Sequence, residues 1–81
     1  MIIIYTSEKC LPCKIVKEIL RNLNIGFEEV KVDTEEGLKK ARENNIRMLP
    51  TIEINGERFE GVNARVIDKL KEMSGLRREN A

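Results

Sequence analysis

The sequence predicts a single α/β domain, and three observations carry that expectation. A β-branched run at Ile2 to Tyr5 gives way to helical periodicity after Pro12, the turn-forming pair Asn55-Gly56 separates two short strand-like segments, and 81 residues leave no room for a second core.

Ile2, Ile3, Ile4 and Tyr5 have the makeup of a central strand covered on both faces. From Pro12 the period becomes that of a helix, with Ile15, Val16, Ile19, Leu20 and Leu23 on one stripe and Lys14, Lys17, Glu18 and Arg21 on the other. Asn24 and Gly26 close it. Phe27 to Val32 reads as a second strand whose Glu29 and Lys31 suit a sheet edge, and the three segments together have the length of a parallel crossover unit. Thr34 is the expected N-cap of a helix reaching about Asn45, with Glu35 and Glu36 at the positive end of its dipole and a thin apolar stripe of Leu38 and Ala41. Thr51 to Ile54 and Glu57 to Phe59 flank Asn55-Gly56, whose two residues both tolerate positive φ, which predicts a hairpin closed by a type I′ turn. The last helix begins near the cap Asn63, runs through Val66, Ile67, Leu70 and Met73, and stops at Ser74-Gly75. Residues 1–76 are the expected domain, and 77–81 a frayed tail.

Composition narrows the function. Fifteen basic and 14 acidic residues nearly cancel, which removes the electrostatic footprint of a nucleic-acid or anionic-membrane binder. With no His, an imidazole base, a Ser/His or Cys/His dyad and a His-containing zinc site are excluded. The apolar run at the start is far shorter than the roughly 20 residues that span a bilayer or the h-region of a secretory signal, so a cytoplasmic protein is expected. No cofactor site is expected either.

Two cysteines, Cys10 and Cys13, are too few and too close for the disulfide framework of a small secreted domain, and read better as chemistry. Cys10-Leu11-Pro12-Cys13 falls where the first strand meets the first helix, so unpaired backbone N–H groups and the helix dipole favour an anion there. A thiolate is such an anion, and it is the thiolate that attacks a disulfide. Lys9 and Lys14 add positive charge, and Pro12 fits the first turn without losing a hydrogen bond. Cys10, ahead of the helix, is the expected nucleophile; Cys13, inside the first turn, is expected to resolve the mixed disulfide. Half of a zinc or iron–sulfur site shared between two chains stands as the alternative for a lone CxxC pair.

The strand-CxxC-helix junction, Met48-Leu49-Pro50-Thr51 ahead of an Ile-Glu-Ile strand, and Gly61 before the last helix together resemble the thioredoxin and glutaredoxin superfamily over Met1 to about Leu76. The resemblance implies the minimal thioredoxin fold, β-α-β-α-β-β-α, with a four-stranded mixed sheet and helices on both faces. It also implies a cis Pro50 against the active-site disulfide and a Leu49 backbone that pairs with an extended substrate segment. Lys9, Leu11, Pro12, Lys14, Leu49, Pro50 and Gly61 are thereby the residues expected to bind substrate or support the cysteines.

Within the superfamily the features are mixed. The buried acid that thioredoxins carry six residues before the first Cys is replaced by Ile4, while Phe59-Glu60-Gly61-Val62-Asn63-Ala64 departs from the Gly-Gly and Asp pattern with which glutaredoxins hold a glutathione carboxylate. The mixture resembles small glutaredoxin-like proteins that behave as thioredoxins. It implies a monomeric thiol-disulfide oxidoreductase that reduces protein disulfides and is recycled by a flavin disulfide reductase of the thioredoxin-reductase type, with glutathione as the alternative reductant. Tyr5 and Phe59 are read as packing residues, Met48 as one that fills a gap or contacts substrate, and Glu53, which points to the sheet face opposite Ile52 and Ile54, as solvated or paired beneath the second helix.

Overall fold

Five consecutive residues with strong strand preference, Ile2–Thr6, form β1, and the sheet is built outward from it. The computed structural model describes residues 1–74. Its elements follow as α1 (Leu11–Asn22), β2 (Glu28–Lys31), α2 (Glu35–Glu43), β3 (Thr51–Ile54), β4 (Glu57–Glu60) and α3 (Ala64–Ser74). The strands lie in the order β2-β1-β3-β4, with β1 and β2 parallel and the other neighbours antiparallel. This is the β-α-β-α-β-β-α mixed sheet that the resemblance implies. Gly75, Leu76 and the tail from 77 to 81 lie outside the described residues.

The period of two along β1 sorts the core into two layers. Ile2 and Ile4 join Ile52, Ile54 and Phe59 beneath Val16 and Leu20 of α1 and Val66 and Leu70 of α3. Tyr5 meets Val30 and Ala41 beneath α2, with Ile3, Val32, Ile46 and Leu49 packed around them. The first layer is the larger, and fully burying each of its Ile and Leu side chains contributes about 1.5–3 kcal/mol. Helices therefore cover both faces of the sheet, with α1 and α3 on one and α2 on the other.

Local signals hold up well. Thr34 caps α2 by accepting from the Gly37 amide at 3.0 Å, and the Asn63 side chain accepts from the Val66 amide at 3.2 Å at the start of α3. Asn55 and Gly56 take φ values of 50° and 91°, which makes the hairpin turn of the primed type. Asn24, at φ 58°, ends α1, and the Ile25 amide donates to the Leu20 carbonyl.

Three expectations are corrected. Ile15 is not in the buried stripe of α1: it is 54% exposed, and the line facing the sheet is Cys13, Val16 and Leu20. Leu38 is 41% exposed, and α2 approaches the sheet through Gly37 and Ala41, since small residues let a short helix lie close. Lys17, read on the outward stripe of α1, is bonded to Glu29 of the edge strand β2, with side chains only 17% and 22% exposed.

Candidate active site

The chain brings several ends to one edge of the sheet. β1 runs toward Cys10, and its pairing of Tyr5 with Thr51 places the start of β3 level with the exit of β1. Thr51 in turn pairs with Glu60, so β4 ends at the same edge and α3 begins there. The N-terminus of α1, residues 48–51 and Gly61 are thus neighbours by topology.

Cys10 is the N-cap of α1 and Pro12 falls in the first turn, where its fixed φ and missing N–H suit the helix. Cys10 and Cys13 are joined as a disulfide with Cα atoms 5.2 Å apart, so the structure is that of the oxidised protein. The Cys13 amide donates to Cys10 Sγ at 3.1 Å. That backbone donor and the positive end of α1 therefore both meet at the Cys10 sulfur. The two sulfurs differ in access: Cys13 is fully buried, while Cys10 is partly exposed.

Of the other residues singled out in the sequence, Lys9, Leu11, Pro12 and Lys14 are exposed around Cys10, with Leu11 at 69%. Leu49 is half-buried, its side chain packed into the layer under α2. Pro50 is buried and the Leu49-Pro50 bond is cis. Gly61, at φ 82°, donates its N–H to the Pro50 carbonyl at 2.8 Å, which ties the turn before α3 to the start of β3. A Cβ on Gly61 would sit 3.6 Å from the sulfur of Met48, itself 50% exposed beside it. Below, the Thr51 hydroxyl donates to the Met48 carbonyl at 2.5 Å.

Glu53 stands apart from this edge. It is bonded to Arg58 on the adjacent strand at 3.0 Å, and the same guanidinium donates to the Asn44 carbonyl at the end of α2, so Glu53 is a paired structural residue. What the sequence did not reveal is a polar cluster under α1. Thr6, fully buried at the end of β1, donates to the Glu29 carboxylate at 2.6 Å, and Lys17 donates to the same oxygen at 2.9 Å. Burial alone would raise the Glu29 carboxyl, but the Thr6 and Lys17 hydrogen bonds and the positive charges of Lys17 and Lys31 outweigh it and hold it below the ordinary value. The ambiguous signal was the even spacing Ile2, Ile4, Thr6 along the strand, which carries the core face on to a hydroxyl.

A CxxC disulfide at the junction of a central strand and a helix, on this sheet, defines a thioredoxin-fold thiol-disulfide oxidoreductase. Comparison with known proteins makes the assignment specific. The Glutaredoxin family model matches residues 2–59, and the chain belongs to the glutaredoxin family. It is 31% identical over 71 residues to the glutaredoxin-like protein NrdH of Lactococcus lactis subsp. lactis, covering 86% of this chain and 99% of the relative. An uncharacterized glutaredoxin-like 8.6 kDa protein from the rubredoxin operon of Clostridium pasteurianum is 36% identical over 77 residues, covering 89% of this chain and 99% of the other. Among solved structures, the glutaredoxin-like NrdH-redoxin from Escherichia coli, described as having a thioredoxin-like activity profile, superposes with a TM-score of 0.70 at 28% identity, over 85% of this chain and 92% of that one. Methanosarcina acetivorans methanoredoxin does so with a TM-score of 0.69 at 30% identity, over 85% and 81%.

Proposed function

We propose that this oxidoreductase works as a monomeric cytoplasmic electron carrier that reduces protein disulfides, with Cys10 attacking the substrate and Cys13 resolving the mixed disulfide. The carrying observation is the difference in access between the two sulfurs, because an incoming disulfide can reach Cys10 but not a fully buried Cys13. Cys10 thiolate attacks one sulfur of the substrate disulfide and releases the other as a thiolate. Cys13 thiolate then attacks Cys10 Sγ, which forms the Cys10–Cys13 bond and frees the second substrate sulfur. The two electrons come from the protein dithiol and are restored by a separate reductase.

Leu11 and Met48 form the exposed apolar rim against which an unfolded or extended substrate segment would rest, and Lys9 and Lys14 favour the attacking thiolate. No helix among the described residues is long and apolar enough to cross a membrane. Glu60 separates the two reductants. It is exposed at the end of β4 beside Gly61, where its negative charge opposes docking of a glutathione carboxylate. A flavin disulfide reductase of the thioredoxin-reductase type is therefore the favoured donor.

Two measurements test this. Alkylation of the reduced protein near neutral pH should label Cys10 much faster than Cys13, and Cys13→Ser should trap mixed disulfides; preferential labelling of Cys13 would reverse the roles. Oxidised protein should be recycled by NADPH with a thioredoxin reductase faster than by glutathione with glutathione reductase, and Glu60→Gly should narrow the gap, less so at high salt. Efficient glutathione turnover that ignores Glu60 would move the reading to a glutathione-dependent glutaredoxin.

A further inference from the structure

Cys13 poses an electrostatic problem that the residues around the disulfide do not solve. The resolving step needs its thiolate, yet Cys13 is fully buried, where a sulfur anion gives up its hydration. Lys17 lies four residues further along α1, a spacing that makes the two residues neighbours on one face of the helix. That ammonium is not loose: Glu29 of β2 holds it at 2.9 Å, and Thr6 fixes Glu29 from the opposite side at 2.6 Å. The pair is also less exposed than Lys31–Glu8, Lys40–Glu28 or Lys69–Glu57, which belong to the surface.

We propose that the Thr6–Glu29–Lys17 cluster sets the ionisation of Cys13 in the reduced protein, which makes Lys17 and Glu29 positioning residues for resolution of the mixed disulfide. Lys17 supplies positive charge on the buried side of the helix, and Glu29 limits how much of it Cys13 feels. The charge inventory of this layer is short. From α1 come Lys17 and the exposed Lys14; from β2 come Glu29 and Lys31, and the charges of Lys17 and Lys31 both act on the Glu29 carboxylate. β3, β4 and α3 present Ile52, Ile54, Phe59, Val66 and Leu70. In the step itself Cys13 loses its proton to water, its Sγ attacks Cys10 Sγ, the Cys10–Cys13 bond forms as the bond to substrate breaks, and the departing sulfur takes a proton from water. This inference rests on Cys13 as the resolving sulfur.

The experiment titrates Cys13 in a Cys10→Ser background by its thiolate absorbance in the ultraviolet, which does not require reagent access and reads the same quantity whichever cysteine attacks first. Tyr5 is the only tyrosine, and its burial, reinforced by Glu53, pushes its phenol above 10.0 and out of the range of interest. Glu29→Gln should lower the Cys13 midpoint and Lys17→Met should raise it, each by on the order of one pH unit, or tenfold in thiolate fraction below the midpoint. Lys17→Arg, which keeps the charge, should leave it near that of the Cys10→Ser protein. A role in stability alone would move both neutralising variants the same way or neither, and either result overturns the proposal. If Lys17→Met does not fold, Glu29→Gln and Lys17→Arg still fix the sign: a midpoint that Glu29→Gln leaves unchanged or raises refutes the idea. Wild-type labelling that singled out Cys13 would instead overturn the assignment of roles while leaving this titration intact.

Discussion

Replacing Gly37 with Ala sets two physical arguments against each other with opposite signs. Gly37 sits in the first turn of α2, and helix propensity by itself favours Ala there by about 1 kcal/mol. The surroundings say otherwise. A Cβ at this position would overlap the carbonyl of Lys31, the last residue of β2, and come within 2.9 Å of Thr34 Oγ1. Neither neighbour is a pliable side-chain tip. The Lys31 carbonyl is backbone, and the Thr34 hydroxyl donates to it at 2.7 Å while accepting the Gly37 amide at 3.0 Å. Making room requires α2 to move off β2, which weakens the cap by about 1 kcal/mol and adds an overpacking penalty of about 1–3 kcal/mol. The balance is a loss of roughly 1–3 kcal/mol, or a fall in Tm on the order of 5–15 °C for a domain of this size. Thermal and urea unfolding followed by circular dichroism measure it directly. A Gly37→Ala protein as stable as wild type, or more so, would show that α2 is free to shift and would refute the reasoning from close approach.

Other perturbations follow from the same structure. Because Glu29 is held below the ordinary value of 4.5, its stabilisation is present above that pH and is lost as pH falls through the folded value; urea midpoints should drop on acidification below 4.5, and Glu29→Gln should flatten that limb. The neutral Tyr5 phenol is favoured in the fold, so stability should decline as pH rises past 10.0, and Tyr5→Phe should remove part of the decline without altering the acid limb. Asn63→Ala removes the side-chain cap of α3 and should destabilise by about 1 kcal/mol, seen as a lower urea midpoint at unchanged slope. Leu11→Glu places a charge on the exposed rim beside Cys10, and should slow reduction of a protein disulfide with little effect on Tm, as judged by an insulin reduction assay set beside a melting curve.

What could be read from the sequence was local. The Asn55-Gly56 turn, the Thr34 and Asn63 caps and the strand-to-helix placement of Cys10 and Cys13 each depend on a few adjacent residues, and each is where it was expected. The cis bond at Pro50 came from resemblance rather than from spacing, since a proline at the head of a strand is compatible with either isomer. The errors have a common cause. Ile15 and Lys17 both border the apolar stripe of α1, and which of them turns inward depends on what the sheet offers underneath. Glu29 offers a carboxylate there, 12 residues away in sequence, and no window along the helix contains that information. Gly37 was likewise unremarkable until the Lys31 carbonyl was in view.

The strand order has a consequence for how the molecule opens. β1 and β3 occupy the two inner positions, while β2 and β4 form the rims and carry the charged residues Glu28, Lys31, Glu57, Arg58 and Glu60. Partial unfolding that peels away a rim, or lifts α2 with its small buried face, leaves the two inner strands hydrogen-bonded to each other. The dithiol hangs from the end of β1 and Pro50 heads β3, so the reacting edge belongs to the portion of the protein whose amides should be slowest to exchange with deuterium. Cycles of oxidation and reduction can then proceed while the periphery breathes.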